Sequence, residues 1–183
     1  ADKLAARALE IEKTTKHDVI AFLTAFEEEA GEVARHVHYG MTSSDVLDTS
    51  LALQLVEASK HLEVALEEHL AALKKRADEH RHTPMMGRSH GIHAEPISFG
   101  LVMAGAYADL RRAQDRFRHA VDEIRVGKIS GAVGTSAHLP LERESMALAS
   151  LGLKPEPVAT QVVARDRHAA YFTSLALLAA SME

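Results

Sequence analysis

The chain has 183 residues, 46% of them hydrophobic and 26% charged, a typical globular composition that excludes disordered, collagen-like and mucin-like chains. It has no cysteine, which excludes disulfides, thiolate metal sites and a cysteine nucleophile. A formal charge of -5 disfavours a general nucleic-acid binder, and no apolar run approaches the ~20 residues that span a bilayer, so we expect a single-domain cytoplasmic protein.

The two ends of the chain both carry helical patterns. The first residues already follow such a pattern without an initial methionine, and a short second helix is expected at residues 18–35. At the other end, the apolar pattern stops at Glu183 without a glycine or proline stop signal. We therefore expect the middle part of a longer polypeptide, or a chain whose flexible ends are missing.

The strongest helical pattern covers residues 45–80, where apolar residues recur in steps of three or four. The stripe consists of Leu47, Leu51, Leu55, Ala58, Leu62, Leu66, Leu70, Leu73 and Ala77. Such a helix would be roughly 50 Å long, which is too long for a compact chain of this size to cover by itself. The sequence therefore predicts a bundle whose outer helices come from other subunits.

A second long helix is predicted to begin at Pro96, because proline suits the first helical turn, and to end before Gly127. Shorter helices are expected at residues 141–151 and 165–183. Alternating runs of β-branched residues are almost absent, so strands are not predicted. The expected loops cover residues 37–44, 82–95, 127–140 and 152–160.

The loop at residues 82–95 carries the densest group of chemically capable side chains. His90 and His93 lie within eight residues together with Arg88, Ser89 and Glu95. Flanking glycines let a backbone approach a ligand closely. An imidazole, with an ordinary pKa of ~6.5, can donate a proton at neutral pH. The alternative is a surface turn whose histidines hydrogen-bond the backbone.

Thr42, Ser43, Ser44 and Asp45 stand where the long helix is expected to start. Thr42 and Asp45 have the spacing of a capping box, although aspartate replaces the usual glutamate. The same position also suits a bound carboxylate, because a helix N-terminus offers free N–H groups and hydroxyls add donors.

Three further patterns have competing interpretations. Lys16, His17 and Asp18 could hold a phosphate or simply form a solvated helix start. Gly131–Gly134 after Lys128 lacks the spacing of a phosphate loop and is interpreted as a structural turn. The remaining histidine pairs suggest a metal-binding bundle only weakly, because there is no cysteine and no His-Glu-x-x-His helix; they are His36 with His38, and His80 with His82.

Four segments in order resemble the adenylosuccinate lyases of the fumarase/aspartase superfamily. They cover residues 38–49, 87–96, 128–135 and 160–168. The resemblance implies an all-α fold, a long-helix bundle whose helices assemble into a multi-subunit central bundle. It implies that residues 1–36 end an N-terminal helical domain, that 37–183 belong to the central bundle domain, and that the family's C-terminal part is absent.

The same resemblance implies a purine-biosynthesis lyase that eliminates fumarate from succinylated purine nucleotides. These are adenylosuccinate, which gives AMP, and succinylaminoimidazole carboxamide ribotide. The family works as a homotetramer with active sites shared between subunits, and it uses no metal or organic cofactor. His90 corresponds to its proton donor. The substrate-binding positions are Lys16, His17, Asp18, Thr42, Ser43 and Gln161, with His38 expected near the phosphate.

Two departures from the family pattern limit what the chain is expected to do. The family's base is a serine on a loop of pattern Gly-Ser-Ser-x-Met-Pro-x-Lys-x-Asn-Pro, which these residues do not contain, and an N-terminal Arg-Tyr contact is also missing. We therefore expect the segment to be inactive alone. The alternatives are a sister activity of the same superfamily (argininosuccinate lyase, fumarase or a cycloisomerase), or a non-catalytic helical assembly module.

Overall fold

The computed structural model describes residues 2–183, and most of these residues are helical. Two pairs of short strands interrupt the helices. In chain order the elements are α1 (Asp2–Thr15), α2 (Asp18–Ala30), a 3₁₀ helix (Gly31–His36), α3 (Ser43–Glu79), β1 (Pro84–Ser89), β2 (Ile92–Ser98), α4 (Phe99–Ile124), β3 (Val126–Gly127), α5 (Leu141–Ser150), β4 (Lys154–Pro155) and α6 (Arg165–Ala180).

The helices predicted from periodicity are confirmed, with shifted ends. The long helix α3 runs from Ser43 to Glu79, within two residues of its predicted bounds. The helix expected at 18–35 is α-helical only to Ala30 and continues as a 3₁₀ turn. Gly31 takes a φ of +66° there, a conformation that ends an α-helix and suits glycine.

The loop predicted at residues 82–95 and the helix start predicted at Pro96 are both wrong. β1 and β2 form an antiparallel hairpin, in which Pro96 pairs with Met86. A proline is tolerated there because a two-stranded ribbon has free edges. The helix begins at Phe99 instead, where the Ser98 hydroxyl accepts the Leu101 N–H at 3.1 Å as an N-cap.

The chain divides into two compact units, of which the first comprises residues 2–53 and 126–164. α1 and α2 pack against each other there, and the small residues Ala21 and Ala25 are buried on α2. A small hydrophobic core of this unit consists of Ala52, Leu148 and Leu153. β3 and β4 pair in parallel beside it. This unit contains the start of α3 and the loops around it.

The second unit comprises residues 54–125 and 165–183. Its core is one cluster from α3, α4 and α6: Val56, Leu66, Leu70, Leu110, Ala113, Phe117, Val121, Ile124, Tyr171 and Leu178. The Tyr171 hydroxyl is satisfied inside this core by Ser59 Oγ at 2.9 Å. Buried aromatic hydroxyls need such a partner, so α6 is fixed in rotation against α3.

Over residues 2–183, no helix is both long enough and apolar enough to cross a bilayer.

An exposed ion pair links the two N-terminal helices. Arg7 Nε lies 2.8 Å from Glu28 Oε2, and Arg7 Nη2 lies 2.8 Å from Glu28 Oε1. These hydrogen bonds hold the pKa of the Glu28 carboxyl below its usual range. The ionised form is therefore favoured in the folded chain relative to the unfolded chain.

Glu28→Gln is expected to lower the thermal unfolding midpoint slightly at neutral pH, because an exposed pair contributes little. The stabilisation is present above the unfolded pKa of about 4.3 and is lost as the pH falls through the lower folded value. The difference from wild type, measured by circular dichroism, should therefore shrink toward about pH 3. Glu27→Gln, at the neighbouring exposed carboxylate, is the control, and a difference that grows in acid would contradict the prediction.

Candidate active site

The first turn of α3 presents the predicted carboxylate-binding residues. Thr42 and Ser43 are half-buried, and Asp45 Oδ2 accepts the Thr42 N–H at 2.9 Å. This bond is one half of the predicted capping box. In the other direction, the Asp45 N–H bonds to the Thr42 carbonyl oxygen at 3.0 Å rather than to its hydroxyl. Aspartate, not threonine, therefore provides the side-chain cap.

His17 contacts this turn from the start of α2. Its Nε2 lies 3.3 Å from Ser43 Oγ, while its Nδ1 accepts the Ile20 N–H at 3.4 Å as the N-cap of α2. In a neutral imidazole, an accepting Nδ1 places the proton on Nε2, an assignment made from the hydrogen bonds. His17 then donates to Ser43, and the Ser43 O–H is left to donate to a ligand.

The neighbours of His17 occupy different surroundings. Lys16 has a left-handed φ of 53° in the link between α1 and α2 and borders a shallow cleft with Leu9 and Glu12. Asp18 Oδ1 accepts the Val19 N–H at 2.8 Å and lies 3.4 Å from His17 Nδ1. Of the predicted triplet, His17 hydrogen-bonds the start of α3, and Asp18 borders a cleft with Val46 and Leu47 of that helix.

Two more predicted residues lie in the same unit. His38 is half-buried, and its Nε2 is buried without a hydrogen-bond partner among the described residues. Gln161 is exposed in the segment that precedes α6. The first unit therefore contains all the predicted substrate-binding positions.

The turn interpretation of the glycine-rich stretch after Lys128 is supported by its geometry. Gly131 and Gly134 have φ values of 81° and 78°, as in tight turns. The turn and the segment Tyr39, Gly40 and Met41 line a cleft of about 430 Å³. The buried Ser130 hydroxyl at this cleft has no partner among residues 2–183.

His90 belongs to the second unit and occupies the tip of the β1–β2 hairpin. Ser89 pairs with Ile92, so His90 and Gly91 form a two-residue turn. Both have positive φ, 51° and 75°, as a type I′ turn requires. A left-handed histidine is uncommon but is more readily tolerated than most side chains there. The turn holds the His90 ring out from the hairpin as an exposed side chain.

A glycine shapes the strand that leads to this turn. The register of the hairpin shifts between Met86 and Arg88. A Cβ on Gly87 would lie 2.4 Å from the Glu95 carbonyl oxygen, so no other residue fits at this bulge without moving the backbone.

Sequence reasoning missed the polar groups that hold the start of α3. Asp45 and Lys128 form an ion pair whose side chains are fully buried. The hydroxyl of Thr49 and the carboxylate of Glu144 fasten the backbone at residues 128 and 129. The available signal was a lysine set among Val126, Gly127 and Ile129, since a charge inside an apolar stretch needs a partner when buried.

The histidine pairs do not form a metal centre in the described part of the chain. Residues 2–183 contain no group of three or more histidine, aspartate or glutamate side chains arranged to hold a metal ion. His36 accepts a bond from Arg35 Nε at 3.1 Å, and His80 pairs with Thr83.

Comparison with known proteins shows which family the chain resembles. The family model described as "Lyase" matches residues 3–183. The adenylosuccinate lyase of Synechocystis sp. is 53% identical over 177 residues, which are 97% of this chain and 41% of that protein. The adenylosuccinate lyase of Thermotoga maritima is 53% identical over 173 residues, which are 94% of this chain and 40% of that protein. The chain thus spans about two fifths of the length of the curated relatives it matches.

Solved structures show the same helical architecture. A fumarate lyase from a Mesorhizobium species matches with a TM-score of 0.87 at 29% identity, covering 97% of this chain and 42% of that chain. The 3-carboxy-cis,cis-muconate lactonizing enzyme of Pseudomonas putida matches with a TM-score of 0.83 at 29% identity, covering 95% and 41%. The resemblance seen in the four segments is thereby confirmed, and the chain belongs to the lyase family.

Proposed function

We propose that the protein eliminates fumarate from adenylosuccinate, giving AMP, and from succinylaminoimidazole carboxamide ribotide in purine biosynthesis. The observation that carries this proposal is the 53% identity to an adenylosuccinate lyase over 97% of the chain. The contact between His17 and Ser43 at the start of α3 supports it, because that arrangement suits a carboxylate.

The reaction is a β-elimination that needs a base, an anion site and an acid. A base removes a proton from the carbon next to a carboxylate, and the electron pair spreads onto that carboxylate. The electrons then form the carbon–carbon double bond of fumarate while the carbon–nitrogen bond breaks. The departing nitrogen takes a proton. Donors fixed at the charged carboxylate lower the barrier most, because they are already oriented when the charge develops.

We assign the succinyl carboxylate to the start of α3. The hydroxyls of Thr42 and Ser43 donate to it, and the positive end of the helix dipole favours the negative charge. His17 fixes the Ser43 hydroxyl, as its 3.3 Å contact suggests. Lys16, Asp18 and Gln161 bind the remainder of the substrate, and the phosphate lies near His38, whose buried Nε2 has no hydrogen-bond partner among the described residues.

We assign the general acid to His90. The exposed ring at the hairpin tip is free to reach a ligand, and the left-handed turn limits where the ring can point. A serine of the family's mobile loop is the proposed base, and the present residues do not contain its sequence pattern. Both groups act by proton transfer, so we propose no metal or organic cofactor.

The proposed assembly is a cytoplasmic homotetramer whose active sites combine residues of several subunits. Helices of the second unit leave large apolar side chains exposed, among them Val64 and Leu101, each 61% exposed, and Phe172. Apolar surface of this kind is commonly covered by another subunit. Residues 1–36 would then end the N-terminal domain, and 37–183 would form part of the central bundle.

The test is fumarate release by the intact protein that contains this segment. We expect fumarate and AMP from adenylosuccinate and no fumarate from argininosuccinate, measured by chromatography of the products. The 183-residue chain assayed alone should release none, because it lacks the serine-loop pattern. Turnover of argininosuccinate instead would indicate a sister activity, and an inert intact protein would support a purely structural helical module.

A further inference from the structure

A buried ion pair joins the first turn of α3 to the loop after β3. The side chains of Asp45 and Lys128 are both fully buried, and Lys128 Nζ donates to Asp45 Oδ1. The other oxygen of Asp45 accepts the N–H groups of Thr42 at 2.9 Å and Gly131 at 3.0 Å. The ammonium also donates to the Gly131 carbonyl at 3.1 Å. One carboxylate therefore ties together the helix start, the lysine and the loop.

The lysine is also fastened through its main chain. Thr49, one helical turn beyond Asp45, donates its hydroxyl hydrogen to the Lys128 carbonyl and accepts the Lys128 N–H, both at 3.1 Å. On the following residue, the Ile129 N–H donates to Glu144 Oε1 at 2.7 Å. Lys128 thus has little freedom to move relative to the first two turns of α3.

Stability alone does not account for this arrangement. Removing two charges from water is costly, and well-packed apolar residues of similar volume often stabilise a protein as well as a buried ion pair does. An exposed aspartate could supply the same cap to Thr42 without a buried lysine. The distinctive result of the pair is geometric, because it fixes the segment that carries the Thr42 and Ser43 hydroxyls.

We propose that Asp45 and Lys128 are positioning residues that hold Thr42 and Ser43 in the geometry that binds the substrate carboxylate, an inference that rests on the proposed function. The Asp45 carboxylate engages the Thr42 N–H, and the Asp45 N–H bonds to the Thr42 carbonyl oxygen, so the hydroxyls of Thr42 and Ser43 are the donors proposed for the ligand. The pair carries no net charge, so it acts through geometry and not by attracting the anion.

The experiment uses the intact protein with both charges removed together, Asp45→Asn with Lys128→Met, so that neither charge stays buried alone. Inhibition by fumarate and by AMP is measured separately against adenylosuccinate. The inhibition constant for fumarate should rise about tenfold or more, as expected when a charge-assisted hydrogen bond to the carboxylate is lost. The constant for AMP should stay within about twofold.

Ala25→Gly is the stability control, because Ala25 is buried in the same unit on α2, where α2 packs against α1, and glycine weakens the helix. It should lower the melting temperature and leave the ratio of the two inhibition constants unchanged. If the ratio of the fumarate constant to the AMP constant in the double variant equals that of wild type, the positioning role is wrong.

If the double variant does not fold, Thr49→Val tests the same proposal with a smaller change, because both buried charges remain. It removes the hydroxyl that fastens Lys128 and keeps the shape of the side chain. The ratio of the fumarate constant to the AMP constant should still rise, and an unchanged ratio would overturn the proposal. A wild-type protein that releases no fumarate from adenylosuccinate would instead refute the proposed function, so the two failures are distinguishable.

Discussion

Replacing His90 by asparagine in the intact protein is expected to lower kcat for adenylosuccinate cleavage by about 10²–10⁴-fold, the usual contribution of a positioned acid. Without a proton, the departing nitrogen would leave as an unstable anion. Asparagine is chosen because it tolerates the left-handed φ of 51° at the hairpin tip and does not titrate. Steady-state rates of fumarate formation across the pH range measure the effect.

The pH profile separates an acid from a residue that only shapes the turn. A general acid must be protonated to act, so wild-type activity should fall on the alkaline side, and the variant should lose this limb. His93→Asn is the matched control, since His93 is an exposed histidine on the same hairpin, paired with Arg88. If His93→Asn lost as much activity as His90→Asn, or if the alkaline limb survived in His90→Asn, the assignment of the acid would be wrong.

The helices were predictable because their signal is local. The stripe from Leu47 to Ala77 repeats over many turns, and α3 matches the predicted range 45–80 to within two residues at its start and one at its end. The sequence signals for helix ends were weaker than those for helix interiors. The α-helix predicted to reach residue 35 ends at Gly31, where a left-handed glycine outweighs the helical pattern that continues beyond it.

The hairpin was missed because its strands lack the usual pattern. Residues Pro84–Ser89 contain no β-branched residue and are almost entirely exposed, so no alternation of apolar and polar residues marks them. Pro96 also resembled a helix start. The useful signals were His90-Gly91, a pair that can take positive φ, and Gly87, which fits the bulge.

The residues of the candidate site were predictable from the sequence, but the long-range contacts that hold them in place were not. Thr42 and Asp45 show their capping relationship by spacing alone, because the two residues are one helical turn apart. Asp45 and Lys128 are 83 residues apart, and their pairing depends on how β3 and its loop pack against α3. No local pattern in a single sequence encodes such a contact. The same holds for the contact of His17 with Ser43, which joins residues from two different helix starts.

Phe117→Ala should produce the largest loss of stability among core substitutions of the second unit. Phe117 is fully buried, and its ring centroid lies 5.8 Å from that of Tyr171. Removing the ring leaves a cavity between α3, α4 and α6, and such substitutions cost about 3–5 kcal/mol. Scanning calorimetry and urea unfolding of the intact protein measure the loss.

Phe117→Leu is the control, since it removes fewer atoms and leaves a smaller cavity at the same buried position. Its cost should be clearly smaller than that of Phe117→Ala. Because both variants change one position, the comparison does not depend on which surfaces other subunits cover. Equal losses in the two variants would mean that the lost stability does not come from a cavity at Phe117, and that the core of the second unit is not centred on this ring.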